Sequence, residues 1–256
     1  MPSGGFWTIF GRMIPTDPLI TKKIAAAIHR YAMIAPGDKV LVAVSGGKDS
    51  MTMLAHLHAM AAHFPIPFSI KALHIKTDFC NCFKKNRMED TLDSWGVDYE
   101  ILQVNVIKRL KEGQTMNCWW CSTQRRTELL NYAQKNNFQR IALGHHMDDI
   151  IETFFMNMLY KSELSTMLPA MQYEKYPQSL IRPLSLLPQT EIVRFAEAHA
   201  LSRLVCGCPY TSKSKRKDVR KLIASFADGD DRIRENIFAS MANVYPAYLP
   251  KPVLPI

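Results

Sequence analysis

VLVAVSGGKDSMTMLAHL, residues 40–57, sets an unbroken apolar run against two glycines and then a segment with helical composition. Five apolar residues in succession, Val40 to Val44, fit a strand buried on both faces. Gly46 and Gly47 remove the side chains that would keep a phosphate from the backbone, and the following helix offers unpaired N–H groups and a positive dipole end. Ser45 and Ser50 add hydroxyls. A Gly-Gly turn before a helix is also an ordinary strand-to-helix connection, so the glycines alone leave phosphate binding and simple chain reversal equally open. Lys48 directly after Gly47, with Asp49 between it and Ser50, departs from the spacing of the commoner nucleotide loop, G-x-x-x-x-G-K-[ST].

Outward from this stretch, strand and helix signals alternate. Strands are predicted over 39–44, 69–75, 98–104 and 139–143, and helices over 50–63, 84–95, 122–136 and 148–160. Such a series predicts an α/β fold, a mostly parallel sheet with helices on both faces. Upstream, Asp17-Pro18 reads as the cap and first turn of a helix over about 17–36, with Ile20, Ile24, Ile28 and Tyr31 on one stripe and Gly37 at its end. After residue 161 the pattern weakens to a short strand in SLIRPL and helices over 189–200, 217–227 and 231–242. The tail VYPAYLPKPVLPI, with four prolines, cannot continue a helix. The expectation is one domain over residues 1–256, with that N-terminal helix and a helical C-terminal extension over about 185–245.

A chain of 256 residues that is 47% hydrophobic can bury one large core, or one core and a small appendage. No apolar run approaches the roughly 18 residues that span a bilayer, and MPSGGFWTIFGRM lacks the basic-then-apolar order of a secretion signal, so a cytoplasmic protein without a membrane partner is expected. The formal charge of +9, from 32 basic and 23 acidic residues, suits a polyanionic partner. Arg203, Lys213, Lys215, Arg216, Lys217, Arg220 and Lys221 face only Asp218 in the run 203–222, which reads equally as a solvated segment or a nucleic-acid contact.

Six cysteines fall in three close pairs, Cys80/Cys82, Cys118/Cys121 and Cys206/Cys208. In a cytosolic chain this favours metal ligation or thiol chemistry over disulfides. The signal is strongest for Cys118-Trp119-Trp120-Cys121, whose two-residue spacer lets both sulfurs face one point; a structural zinc site is the alternative. Cys80 and Cys82 read as small buried residues.

A second cluster lies where the fourth strand meets a helix, in IALGHHMDDIIETFFMNMLY, residues 141–160. Gly144, His145, His146, Asp148 and Asp149 then sit at the sheet edge where parallel folds bind ligands, although Asp148 would equally serve as a helix cap. His74 ends the second strand at the same edge, facing either a nucleotide or solvent. Arg125 and Arg126 follow Cys121 by about one helical turn, pointing back toward the cysteines or out into water. Trp119 and Trp120 could shield a cluster, stack on a base or enter the core.

Ser45-Gly46-Gly47-Lys48-Asp49-Ser50 resembles the PP-loop of the ATP pyrophosphatases, which adenylate their substrates and release pyrophosphate. The resemblance implies a Rossmann-like fold, a loop that holds the departing pyrophosphate, and Asp49 on Mg²⁺. AIHRYAMIAPGDKVLVAVSGGKDS, CWWCSTQRR, GHHMDDIIETFFMNMLY and LIRPLSLLPQTEIVRFAEAHAL, in that order, are together similar to the tRNA 2-thiocytidine biosynthesis family over roughly residues 25 to 225. That family implies ATP, Mg²⁺, tRNA, a sulfide or persulfide donor, a homodimer and a [4Fe-4S] cluster. Its ligands would be Cys118, Cys121 and a third cysteine, best matched by Cys208 before Pro209-Tyr210, or by Cys206 in the one-residue spacing found here. Three protein ligands leave one iron able to hold hydrosulfide for attack on the adenylated pyrimidine. Asp49, Arg125, Asp148 and Asp149 are the implied catalytic set, and Ser45 to Ser50, His74, Gly144 and His145 the nucleotide set.

Overall fold

The computed structural model describes residues 5–9, 12–79, 87–201 and 215–250. They form two compact units, the first running to Met147 and resuming over Met167–Lys213, the second made of Asp148–Thr166 and the chain from Ser214 onward.

The first unit is built on six strands in the order β5-β4-β3-β6-β8-β7. These are β3 (Lys39–Val44), β4 (Ser69–Thr77), β5 (Tyr99–Val104), β6 (Arg140–Ala142), β7 (Ala170–Gln172) and β8 (Ser179–Ile181). All neighbours pair in parallel except β7, which runs antiparallel along β8. The mostly parallel sheet is therefore as the sequence predicts. Two small elements go beyond it: the edge strand β7, and a separate antiparallel pair, β1 (Gly5–Ile9) with β2 (Arg12–Thr16).

Alternate residues of β3 divide the core. Val40, Val42 and Val44 join the cluster of α1 (Pro18–Arg30), α2 (Lys48–Ala61), α3 (Arg87–Trp95) and α6 (Gln189–Ala198), while Leu41 joins Leu130 and Ala133 of α4 (Cys118–Lys135). A strand with apolar residues on both faces reads as a continuous run, which is why residues 40–44 show no alternation. The chain moves outward from β3 through β4 to β5, then returns to place β6 on the other side of β3. The carboxyl ends of β3 and β6 thus form the switch point at which open α/β sheets leave a crevice. Asp38 and Arg140, just ahead of these strands and at the start of β6, tie their entry together through a 2.7 Å ion pair.

Helix α1 ends six residues short of the expected boundary. Ala32 takes a left-handed φ of 46°, and the N–H of Met33 donates back to the Ile28 carbonyl, closing the helix before Gly37 is reached. Its start is as predicted, with Asp17 accepting from the N–H groups of Leu19 and Ile20.

Helix α1 is joined to α2 by a buried imidazole. His56 Nδ1–H donates to the Thr52 carbonyl at 2.8 Å, and Nε2 accepts from the Asp17 N–H at 3.0 Å. Both ring nitrogens are satisfied only in the neutral form.

The second unit contains most of α5 (Met147–Lys161), with α7 (Lys215–Ala227) and α8 (Asp231–Ser240). Glu152, 2% exposed, receives both Nε and Nη2 of Arg220 at 2.6 and 3.1 Å. A carboxylate withdrawn from water in this way needs paired donors. Asp149 pairs with Arg216 at 3.2 Å and Asp148 with Arg234 at 3.2 Å. Arg216 and Arg220 of the basic run are therefore engaged with carboxylates of α5. Among the described residues, no helix is long and apolar enough to cross a membrane.

Burial lowers the pKa of His56 from 6.5 to about 4, against the raising effects of Thr52 and Asp17. The unfolded chain binds the proton more readily, so the stability tied to neutral His56 is complete above pH 6.5 and is lost as pH falls toward 4. The loss is about 3 kcal/mol. Thermal unfolding followed from pH 7 to pH 4 should show this slope in the wild type. His56→Gln should be less stable at pH 7 and visibly flatter below it.

Candidate active site

The turn after β3 is braced from within by its own serines. Ser50 Oγ accepts from the Ser45 N–H at 3.1 Å and donates to the Gly47 carbonyl at 3.0 Å, while Ser45 Oγ accepts from the Gly47 N–H at 3.3 Å. Gly46 has a φ of 78°, in the left-handed region that favours glycine. Gly47 caps α2, which therefore starts at Lys48, two residues before the predicted position. Lys48 Nζ donates to both Asp49 carboxylate oxygens, at 2.9 and 3.1 Å.

Gly144 follows β6 and meets this turn directly. A Cβ built on it would lie 3.0 Å from both the Cα and the N of Ser50, so only glycine lets the two backbones come together. His145 and His146 follow; His146 is buried, with Nε2 3.8 Å from Asp49 Oδ1. His145 was the histidine singled out for the nucleotide, and the structure adds His146 as the one nearest Asp49.

A cavity of about 270 Å³ opens between these strand ends. Ser45, Asp49 and Ser50 line one side, Gly144 and His145 another, and Ser122, Arg125 and Arg126 of α4 a third, over an apolar surface that includes Leu73, Ile75 and Leu180. An apolar surface for a base beside hydroxyls, loop N–H groups and two guanidinium groups suits a nucleoside phosphate. Asp49 supplies the hard oxygen donor that Mg²⁺ prefers. His74 is not among the lining residues; its Nδ1–H donates to the Val44 carbonyl at 2.8 Å. Burial, reinforced by Arg125, lowers its pKa.

Helix α4 begins at Cys118, four residues ahead of the predicted start, because Asn117 accepts from the Trp120 N–H at 2.9 Å and caps it. Cys118 and Cys121 thus stand at i and i+3 on one helical face. Cys118 is exposed and Cys121 half-buried. Two soft sulfur donors at this spacing fit an iron–sulfur cluster in their chemistry. Cys206, Cys208, Cys80 and Cys82 lie outside the described residues. Among the described residues, no group of three or more His, Cys, Asp and Glu side chains could hold a metal ion.

The start of α4 is fixed by contacts that the sequence does not advertise. Trp120 Nε1–H donates to the Val106 carbonyl at 3.1 Å, and its ring packs with Ile75, Val104 and Val106. The Asp78 carboxylate, just after β4, accepts from the N–H groups of Val106, Ile107 and Lys108 at 3.0, 3.0 and 3.3 Å. Arg109, at the end of the 3-10 turn Ile107–Arg109, reaches Glu128 of α4 at 2.6 Å. Asp78 acts on residues 28 to 30 positions away, and no local pattern marks such a pairing. Asp148 and Asp149 occupy the first turn of α5, paired as described with Arg234 and Arg216.

Residues 18–224 match the PP-loop domain family. The chain belongs to the PP-loop family. Within this PP-loop family it is similar to a tRNA-cytidine(32) 2-sulfurtransferase of Xylella fastidiosa (strain M12), 33% identical over 90% of this chain and 78% of the relative. A protein of the same name from Dichelobacter nodosus (strain VCS1703A) is 34% identical over 90% of this chain and 87% of its own. Among solved structures, the PP-loop fold is similar to the U34-tRNA thiolase NcsA from Methanococcus maripaludis with its [4Fe-4S] cluster. The TM-score is 0.71 and the identity 21%, over 88% of this chain and 78% of that one.

Gly144→Ala should push the α2 terminus away from the β6 end, costing about 1–3 kcal/mol of stability and weakening ATP binding at least ten-fold by calorimetry. Asp78→Ala strips three N–H groups of their acceptor. Amide hydrogen exchange should quicken over residues 105–121 while the α2 amides keep wild-type rates.

Proposed function

We propose that this PP-loop protein is an ATP-dependent tRNA sulfurtransferase, which adenylates the carbonyl oxygen of an anticodon-loop cytidine and replaces that oxygen with sulfur. One observation carries the reading: the Ser-Gly-Gly-Lys-Asp-Ser loop and the helix that begins with Cys118 and Cys121 open onto one cavity. The names of the relatives agree with it.

Ser45, Gly46, Gly47 and Ser50, with the first N–H groups of α2, would hold the pyrophosphate as it departs. Asp49 would take Mg²⁺, and Lys48, its partner in the structure, would turn to the phosphate oxygens. Arg125 and Arg126 would neutralise charge building on the phosphates, with His145 at the nucleotide edge; His74, bonded to the Val44 carbonyl, would act on the nucleotide only through the strand it braces. Asp148 and Asp149 are catalytic candidates on the resemblance alone; each is paired with an arginine of its own unit, Arg234 and Arg216 respectively, and neither lines the cavity. A [4Fe-4S] cluster on Cys118, Cys121 and a third thiolate, Cys208 or Cys206, would supply an iron without a cysteine ligand, able to keep sulfide deprotonated. In the exchange a C–S bond forms, the C–O bond breaks, and AMP leaves with the oxygen. The donor would be sulfide, or a persulfide whose outer sulfur is released as sulfide by two thiols that close to a disulfide; the setting would be the cytoplasm and the assembly a homodimer.

Nucleoside mass spectrometry of tRNA from cells with and without the gene should show 2-thiocytidine only where the gene is present. Protein prepared without oxygen should contain iron and sulfide, and Asp49→Asn should keep both while forming no AMP. Zinc in place of iron, with no thiolated nucleoside, would instead make the site a structural metal centre beside a PP-loop ligase.

A further inference from the structure

The two tryptophans between the cysteines have opposite fates. Trp120 is fixed by its hydrogen bond to Val106 and by packing on Ile75 and Val104. Trp119, its neighbour in the first turn of α4, is 72% exposed. The fold holds α4 through Asn117, Trp120 and the Arg109–Glu128 pair, and the Trp119 ring has no part in any of these contacts.

Its position on the helix places it beside the chemistry. Trp119, Ser122 and Arg126 stand at i, i+3 and i+7, a single stripe, and both Ser122 and Arg126 line the cavity. Helical side chains tilt toward the N-terminus, so the indole extends this lined stripe at its outer end, on the flank of α4 beside the face that carries Cys118 and Cys121. A large, flat, rigid ring at one end of the stripe, with Arg126 two turns further along it, combines a stacking surface with a cation that attracts a phosphodiester backbone.

From this arrangement we infer that Trp119 is the stacking platform for an unpaired base of the RNA substrate at the cavity mouth. The inference rests on the reading of the site as a tRNA sulfurtransferase. A base that leaves its stack to enter a catalytic cavity loses its neighbours, and an aromatic ring at the entrance restores one face of that contact. Trp119 is thus a positioning residue: it acts on where the RNA sits, while adenylation belongs to the loop across the cavity.

The test uses the full-length protein with its metal loaded without oxygen, and an unmodified tRNA anticodon stem-loop as probe. Trp119→Ala should weaken RNA binding about ten-fold or more and raise the RNA KM correspondingly. Its ATP affinity, its iron content and the salt dependence of RNA binding should stay as in the wild type, since stacking displaces no counterions. Trp119→Phe should recover binding to within about three-fold. RNA affinity of Trp119→Ala within two-fold of the wild type would overturn the inference, as would loss of iron in step with RNA, which would make the ring a cover for the metal. Wild-type protein that neither binds the stem-loop nor thiolates it would instead remove the sulfurtransferase reading.

Discussion

Everything at the cavity depends on two backbones meeting without a side chain between them. A Cβ on Gly144 would stand 3.0 Å from the Ser50 main chain, so the end of β6 can lie against the first turn of α2 only because nothing projects there. That approach places the loop after β3 and the loop after β6 on adjoining walls of one cavity at the switch point of the sheet. The serine hydroxyls then serve the loop itself, satisfying its backbone groups, while the first N–H groups of α2, as at any helix start, have no partner within the helix.

Charge is handled differently in the two units. In the first, Lys48 and Asp49 pair side by side at the cavity, each about a quarter exposed, where an exchange of partners costs little. In the second, Glu152 is almost fully buried and doubly bonded to Arg220, an arrangement that is expensive to disturb. Hydrogen bonding to Glu152 also raises the Arg220 pKa. One pair is built to open and the other to stay shut.

Much of this was legible in the chain itself. The apolar run Val40–Val44 and the two glycines identify the central strand and the loop because burial on both faces and close backbone approach leave direct marks on composition. The start of α4 lies ahead of its predicted position because Asn117 caps it directly before the cysteines, and an asparagine in a polar stretch fits a loop as well as a cap. Ala32 in a left-handed conformation gave no warning of the early end of α1, since glycine is the residue expected there. The roles of Asp78 and His56 depend on partners 28 and 39 positions distant, and such pairings exist only once the chain has folded. The three-residue strand β7 is too short to show any period.

The anchoring of the α4 start by Asn117 and Trp120 bears on what happens when oxygen reaches such a site. The Asn117 cap and the Trp120–Val106 hydrogen bond fix the turn that carries Cys118 and Cys121, and the Arg109–Glu128 pair ties the helix further along. In small metal-dependent domains the ion is the core, and its loss unfolds the chain. Here the helix bearing the two sulfurs has anchors of its own in the Asn117 cap and the Trp120–Val106 hydrogen bond, so on the proposed reading the cluster would not be the sole support of this arm of its seat. Reassembly of such a cluster would then call for iron, sulfide and reduced thiols more than for a renewed search for the fold.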